Sequence, residues 1–389
     1  MSSLSSAKSG DSRALFAGLC ASFVGVGLAR FAYTPLIPAL IGAAWLTPAG
    51  AVYLGATNFA GYLLGALASQ AVGRRFGIAP ALRGAMLLTG ASFLACTFPL
   101  SEAWLSLWRF VAGFTGALLM VLAAPGIVAR LPAAKRGFAS GAIFTGIGLG
   151  VAAAGILLPL LLQVGLREVW LAFGAIVLLL AGLTWNGWRE AAPPSAAAAH
   201  AAPARPLRAL YVEYGLNAFG LVPHFVFFVD YIARGLGQGV EAGAGYWIVF
   251  GVGACLGPLL GGLLADRIGF RDALRAAYVL QIVAVLLPLI DSGPAALSAS
   301  AFIAGAALPG VVALTMGRTQ ELTPDDAARR HAWRVCTITF AVAQAAAGYL
   351  LAFVFARTGD YAILFALGGG ALALCLLIDL AVVREKRPR

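Results

Sequence analysis

The residues best equipped for chemistry in this chain are few and sit in unexpected company. Arg30 lies in GLARFAYTPLIPAL (27–40), where only Tyr33 and Thr34 are polar neighbours, and Arg109 lies in RFVAGFTGA (109–117). A guanidinium stays charged at any biological pH, and its planar fork grips a carboxylate or phosphate through two parallel hydrogen bonds. RALYVEYGLNAFGLVPHFVFFVDYIAR (208–234) adds a carboxylate, an amide and an imidazole: Glu213, Asn217 and His224. A third group, Gly262, Asp266, Arg267, Gly269 and Arg271, is compressed into GGLLADRIGFR (261–271). Other chemistries find no residues. There is no Gly-rich phosphate loop and no Ser-His-Asp set, and the three histidines (200, 224, 331) are scattered. The five cysteines (20, 96, 255, 336, 375) stand singly in apolar runs without a Cys-x-x-Cys pair, as small buried hydrophobes do. No enzyme, cofactor or metal site is expected, and any work must draw on ion or solute gradients.

The elements that position these groups are apolar and long. The chain has 389 residues, 61% hydrophobic and 11% charged, against about 25% charged in a soluble domain. Breaking it at charged and Pro/Gly-rich clusters leaves twelve apolar segments: 14–42, 47–72, 79–100, 102–131, 136–163, 168–188, 208–233, 242–265, 273–291, 294–317, 332–356 and 360–383. A helix of roughly 20 such residues spans a bilayer core, so the fold class is an all-α membrane protein in two six-helix halves. The halves are 14–190 and 208–383, preceded by an arm (1–13), joined by a Pro/Ala-rich linker (191–207) and followed by a basic tail (384–389). Lys8 and Arg13 precede an apolar stretch, as in a signal peptide. That stretch runs past any small-residue cleavage site and reads as a first membrane helix.

Charge orients the bundle. With the amino terminus cytoplasmic, outer loops receive only Arg167, Arg234 and Arg357; the other basic residues outside the membrane segments fall inside. That asymmetry follows the positive-inside rule, with both termini cytoplasmic, and accounts for the net charge of +11 without nucleic acid. The halves also repeat: GLARFAYTP (27–35) matches GLNAFGLVP (215–223), RFVAG (109–113) matches AFIAG (301–305), and AAAG recurs at 152–155 and 345–348. Paired repeats in a membrane bundle mark transporters whose halves rock about a site between them.

At this point the residues resemble a known family. GGLLADRIGFR is similar to the loop signature G-x-L-a-D-R-x-G-R-R of the major facilitator superfamily, and RFVAGFTGA to its fourth-helix signature R-x-x-x-G-x-x-x-A. RFAYTPLIP resembles the R-F-A-Y-T-P-L-L-P of a largely uncharacterised bacterial branch. Two departures stand out. GALASQAVGRRFG (65–77) carries Ser69 and Gln70 where the signature has aspartate and arginine, and the fifth segment lacks the G-P-x-x-G-G of many exchangers. The resemblance implies a twelve-helix transporter of the bacterial inner membrane, with the first, fourth, seventh and tenth helices lining a central cavity. It also implies that the 261–271 loop latches the outward-facing state.

Each site residue then has two readings. Counting ~1.5 Å per residue puts Arg30 and Arg109 at nearly one depth. Their second-half equivalents are Ala218 and Ala301, so the positive charge belongs to one half. A bare charge at the bilayer centre costs on the order of 3 kcal/mol, tolerable beside water, a carboxylate or an anion. Arg30 is thus a cargo or coupling residue, or else a salt-bridged or snorkelling one; Arg109 contacts cargo, or couples or packs helices. Tyr33 offers cargo a hydroxyl or packs. Glu213 is the proton-carrier candidate, since a carboxylate in an apolar setting can carry a proton at neutral pH, against a salt bridge with Arg208. Counting from Arg208 leaves Glu213 near the inner interface, whereas repeat alignment places it near the midplane, the preferred reading. Asn217 hydrogen-bonds cargo or backbone, His224 binds or packs, and Asp230 is expected at the outer end, solvated. The leading expectation is a monomeric, proton-coupled secondary transporter for a small organic solute, favouring carboxylates, with protons and the lipid bilayer as its other partners. The alternatives are proton-driven efflux of amphipathic compounds and a transport-inactive sensor or scaffold.

Overall fold

The computed structural model describes residues 2–128, 133–188 and 204–382. Its described residues form helices, turns and short connections, with no strand among them. The first helix, α1, is broken: it runs Ser2–Ser22, continues as a wide turn Phe23–Leu28, bends, and resumes through Thr34–Leu36 and Ile37–Gly42. Then follow α2 (Pro48–Phe76), α3 (Ile78–Ala95), α4 (Glu102–Val128), α5 (Ala133–Leu162) and α6 (Leu166–Thr184). The second half opens with α7 (Arg205–Gly235), interrupted after Gly220 by a wide turn at Pro223–Phe227. Gly239–Ile290 is divided at Gly269 into α8 and α9. The bundle closes with α10 (Pro294–Leu322), α11 (Asp326–Thr358) and α12 (Tyr361–Val382). Among the described residues, ten helices are long and apolar enough to cross a membrane. Dividing Gly239–Ile290 and adding the broken α1 gives the twelve segments read from the sequence.

Boundaries moved where local chemistry outweighed the hydrophobic pattern. Helix α1 begins at Ser2 rather than 14; its serine-rich start contains no proline to stop the helix. Helix α7 begins at Arg205, with Pro206 in the first turn, where its missing N–H has no intrahelical partner to lose. Helix α2 starts under a side-chain cap, Thr47 accepting from the Gly50 N–H at 3.0 Å. Most of the linker and the basic tail at 384–389 lie outside the described residues. Four cysteines are buried and Cys255 is partly so, each a free thiol.

The repeat has a physical counterpart in helix packing. A Cβ added at Gly61 or Gly65 of α2 would meet the carbonyls of Phe110 and Phe114 of α4 at 2.1 and 2.2 Å, and one at Gly113 would meet that of Asn58 at 2.0 Å. In the second half, a Cβ added at Gly253 or Gly257 of α8 would meet the carbonyls of Phe302 and Ala306 of α10 at 2.2 and 2.0 Å, and one at Gly305 would meet that of Phe250 at 2.0 Å. Each second-half glycine follows its counterpart by 192 positions. Small residues let helix backbones touch where lipid supplies no hydrophobic drive. The same spacing links two turns: Gly77 (φ 85°, ψ 153°) ends α2 and Gly269 (φ 84°, ψ 159°) ends α8. Side-chain-bearing residues avoid that conformation.

The halves meet along α5 with α8 and α2 with α11. We call the end carrying the termini the terminal end and the opposite one the far end. Glycine contacts bring α5 and α8 together from Gly155 against Ala244 and Ile248, near the far end, to Gly148 against Cys255 midway. Beyond this, toward the terminal end, a Cβ at Gly141 or Gly262 would meet nothing within 4 Å. Helices α2 and α11 touch likewise at Tyr53–Tyr349 and at Gly348 against Ala56 and Phe59.

Candidate functional site

The break in α1 organises the first half. Between Leu28 and Thr34 the helix ladder is interrupted, so carbonyls there need other donors. The Ala29 carbonyl accepts from Arg109 Nη1 at 2.9 Å and from Asn58 Nδ2 at 3.2 Å, and Asn58 also donates to the Arg109 carbonyl at 3.0 Å. The Arg109 guanidinium lies over the Tyr33 ring, 4.4 Å from its centroid. Tyr33 is buried, and its hydroxyl donates to the Ala51 carbonyl at 2.7 Å. Arg109 and Tyr33 thus brace the bend and tie it to α2 and α4.

Arg30 is held differently. It is 7% exposed, and its Cζ lies 4.5 Å from the Phe59 ring centroid and 4.8 Å from that of Tyr62, both on α2, with Phe31 at 5.4 Å. No described carboxylate pairs with it. Its Nε and Nη2, buried, have no hydrogen-bond partner. Those two N–H groups form the side of the fork that takes a carboxylate bidentately. Cation–π contacts contribute about 2 kcal/mol when desolvated, whereas each buried donor left unmet costs about 1–3 kcal/mol. The rings therefore fix the guanidinium plane without satisfying its edge. The two arginines share one level, as their depths suggested; Arg109 also keeps a buried Nε without a partner, but of the two only Arg30 leaves both donors of this edge buried and unpartnered.

The far end is sealed by the breaks themselves. Pro35 has no N–H to offer the Phe31 carbonyl one turn earlier, and Trp247 Nε1 of α8 donates to that carbonyl at 3.1 Å. The Thr34 hydroxyl donates to the Phe225 carbonyl in the wide turn of α7. Around these bonds Phe31, Phe225, Trp247 and Phe250 form one aromatic cluster, with Trp247 stacked on Phe250 at 4.5 Å.

The α7 candidates share one face, turned toward α9, α10 and α12. Asn217 Nδ2 donates to Gln281 Oε1 of α9 at 2.6 Å. His224, 0% exposed, sits 2.7 Å from the Ser300 hydroxyl of α10 and stacks on Phe228. Glu213, 4% exposed, lies within electrostatic reach of Asp379, Arg318, Arg271 and Arg275. These are groups of the terminal ends of α9, α10 and α12, so counting from Arg208 located Glu213 better than the repeat did; α1 and α7 enter the bundle at different lengths. Asp230 is also corrected: it is fully buried, paired with Arg234 at 3.4 Å and accepting from the Tyr361 hydroxyl at 2.6 Å.

In the loop between α8 and α9, Asp266 and Arg267 are exposed, and no described residue pairs with them. Phe270 packs over Gly317 of α10, and Arg275 bridges Asp272 at 3.1 Å and Asp379. Arg271 keeps a buried Nε without a partner. Gly269 supplies the turn.

Several residues that shape this site carried no motif. Asn58, Phe59 and Tyr62 lie on α2, and Gln344, 1% exposed with an unpartnered Nε2, lies on α11. The available signal was the presence of Asn58 and Gln344 as lone amides in apolar runs, a marker as informative as the arginines.

A family model described as "Uncharacterised MFS-type transporter YbfB" matches residues 22–380. No curated protein matches the chain. Among solved structures, the chain is similar to the partially occluded inward-open conformation of the xylose transporter XylE from E. coli. The TM-score is 0.74 at 14% identity, covering 98% of this chain and 99% of that one. A crystal structure of a D-xylose-proton symporter is similar at TM-score 0.73 and 14% identity, over 96% and 97%. At such identity the likeness speaks for the fold.

Proposed function

The chain belongs to the MFS-type transporter family described by YbfB, and from that premise we propose that it couples the movement of a small organic anion to protons by alternating access. Secondary transport comes with the family; the anion and the proton are our reading. The observation that carries it is the Arg30 guanidinium, clamped between Phe59 and Tyr62 with Nε and Nη2 unpartnered. An incoming carboxylate meets both donors at once, with a cation–π frame already fixing their plane. Arg109 and Tyr33 hold the bend that aims Arg30, and Arg109 adds positive potential one residue away. Glu213 is the proposed proton site, buried beside Tyr278, Cys375, Cys336 and Asp379 and facing Arg271, Arg275 and Arg318. Asn217 and His224 fasten α7 to α9 and α10, making the second half one body that carries Glu213 as it moves.

In this reading the structure's far end is shut, cargo enters from the terminal end, and that end is cytoplasmic. Asp266, exposed here, engages only when the terminal end closes, which is the latch the loop signature implies. Aromatic side chains near Glu213 (Tyr214, Trp333 and Phe340) support a second reading, efflux of amphipathic cations. Proteoliposomes under an imposed pH gradient separate the two. Uptake of labelled organic acids that disappears in Arg30→Ala supports anion transport. Anion uptake indifferent to Arg30→Ala, or pH-driven movement of a cationic amphiphile alone, rejects it.

A further inference from the structure

Arg30 is not the only buried donor without a partner at this boundary. Gln344 Nε2 is buried and unpartnered, and Gln344 lies one helical turn from both Phe340 and Gly348 on α11. Gly348 packs against Phe59, the ring that holds the Arg30 guanidinium, while Phe340 packs against Tyr214 of α7 with centroids 4.8 Å apart. Gln344 therefore sits between the Arg30 cage and an aromatic wall.

That wall continues toward the terminal end. Tyr214 also faces Trp333, 6.1 Å away, and lies within electrostatic reach of Tyr62 across the boundary between the halves. Tyr62, Trp333 and Phe340 are each only partly buried. At ~1.5 Å per residue, Phe340 and Trp333 lie roughly 12 and 22 Å along α11 from the Gly348 contact. Rings thus line the boundary from the terminal end toward Arg30.

We propose that the cargo is an aryl monocarboxylate, its carboxylate on Arg30 Nε and Nη2, its ring among Tyr62, Tyr214 and Phe340, and an oxygen within reach of Gln344 Nε2. This rests on the reading of Arg30 as an anion anchor and narrows it. The charge count favours one carboxylate, since Arg30 leaves both Nε and Nη2 buried without partners, whereas Arg109 has Nη1 engaged by Ala29 and leaves Nε so. The wall favours a ring over an alkyl chain, because aromatic pairs gain about 0.5–1.5 kcal/mol beyond area burial. Wholly hydrophilic anions gain nothing from four rings.

Titration calorimetry of the full chain in detergent, with benzoate, cyclohexanecarboxylate and succinate as probes, tests this. Benzoate is expected to bind about tenfold more tightly than cyclohexanecarboxylate, the upper end of the aromatic contribution, and succinate more weakly than either. Phe340→Leu, which keeps apolar volume, is expected to erase most of the benzoate preference while leaving cyclohexanecarboxylate unchanged. Gln344→Leu is expected to weaken benzoate and leave the preference intact; thermal unfolding of both variants confirms folding. Arg30-dependent binding with equal affinity for all three acids would overturn the aryl assignment alone. Absence of any Arg30-dependent anion binding would overturn the anion reading beneath it. A benzoate preference that survives both Phe340→Leu and Tyr214→Leu would place the ring elsewhere and also reject the proposal.

Discussion

Arg30 and Arg109 are the same residue type at the same level, and what separates them is one backbone carbonyl. Ala29, stripped of its helical partner by the bend, takes Arg109 Nη1, while Arg30, next in sequence, turns its fork edge away from protein acceptors. Arg109→Lys keeps the charge but loses the planar face over Tyr33 and the reach to Ala29. Its thermal unfolding in detergent is expected to fall by the equivalent of about 1–3 kcal/mol, the cost of one broken buried charged hydrogen bond. Unchanged stability with lost anion binding would instead make Arg109 a cargo ligand. The sequence made both arginines conspicuous, because any charge in an apolar run demands an explanation. Their division of labour was not legible, since it depends on where the α1 ladder breaks. Asp230 shows the same limit: its burial depends on Tyr361, 131 positions away on α12.

Two kinds of element position the site: broken helices and helices in backbone contact. The breaks in α1 and α7 expose carbonyls that Trp247 and Thr34 exploit to join the halves at the far end. The glycine contacts of α2 with α4 and of α8 with α10 fix how each half is built. Gly305→Ala would drive a Cβ into the Phe250 carbonyl, 2.0 Å away, so α8 and α10 must separate. Overpacking of this kind costs about 1–3 kcal/mol, read as a lower unfolding temperature in detergent. Gly84→Ala on α3, with nothing within 4 Å, is the matched control and is expected to be neutral. Equal stability of the two variants would show that the contact tolerates a methyl group. The hydrophobic pattern located all twelve helices, and the RFVAG/AFIAG match revealed the duplication. That the shared glycine is a point of backbone contact was beyond the sequence, because contact partners lie on other helices.

At the scale of the whole molecule, two six-helix halves close on each other at the far end, with Arg30 on one half and Glu213 on the other. Separating the anion anchor from the proposed proton site across the moving boundary lets each be tested alone. Glu213→Gln removes the ionisable group while keeping shape, so exchange of labelled acid between loaded liposomes is expected to persist while accumulation driven by a pH gradient is lost. Accumulation equal to that of the unaltered protein would end the role of Glu213. The membrane-spanning fold and the duplication were legible from composition and pattern; the depth of Glu213 was not, because helix entry points are set by packing against α9, α10 and α12. The most direct measurement of the central claim is equilibrium binding of benzoate to the Arg30→Lys variant, checked as folded by its unfolding temperature. A folded protein whose affinity drops at least tenfold, charge retained but planar fork lost, is the predicted result. A folded Arg30→Lys protein that binds benzoate as tightly as the unaltered chain would contradict it.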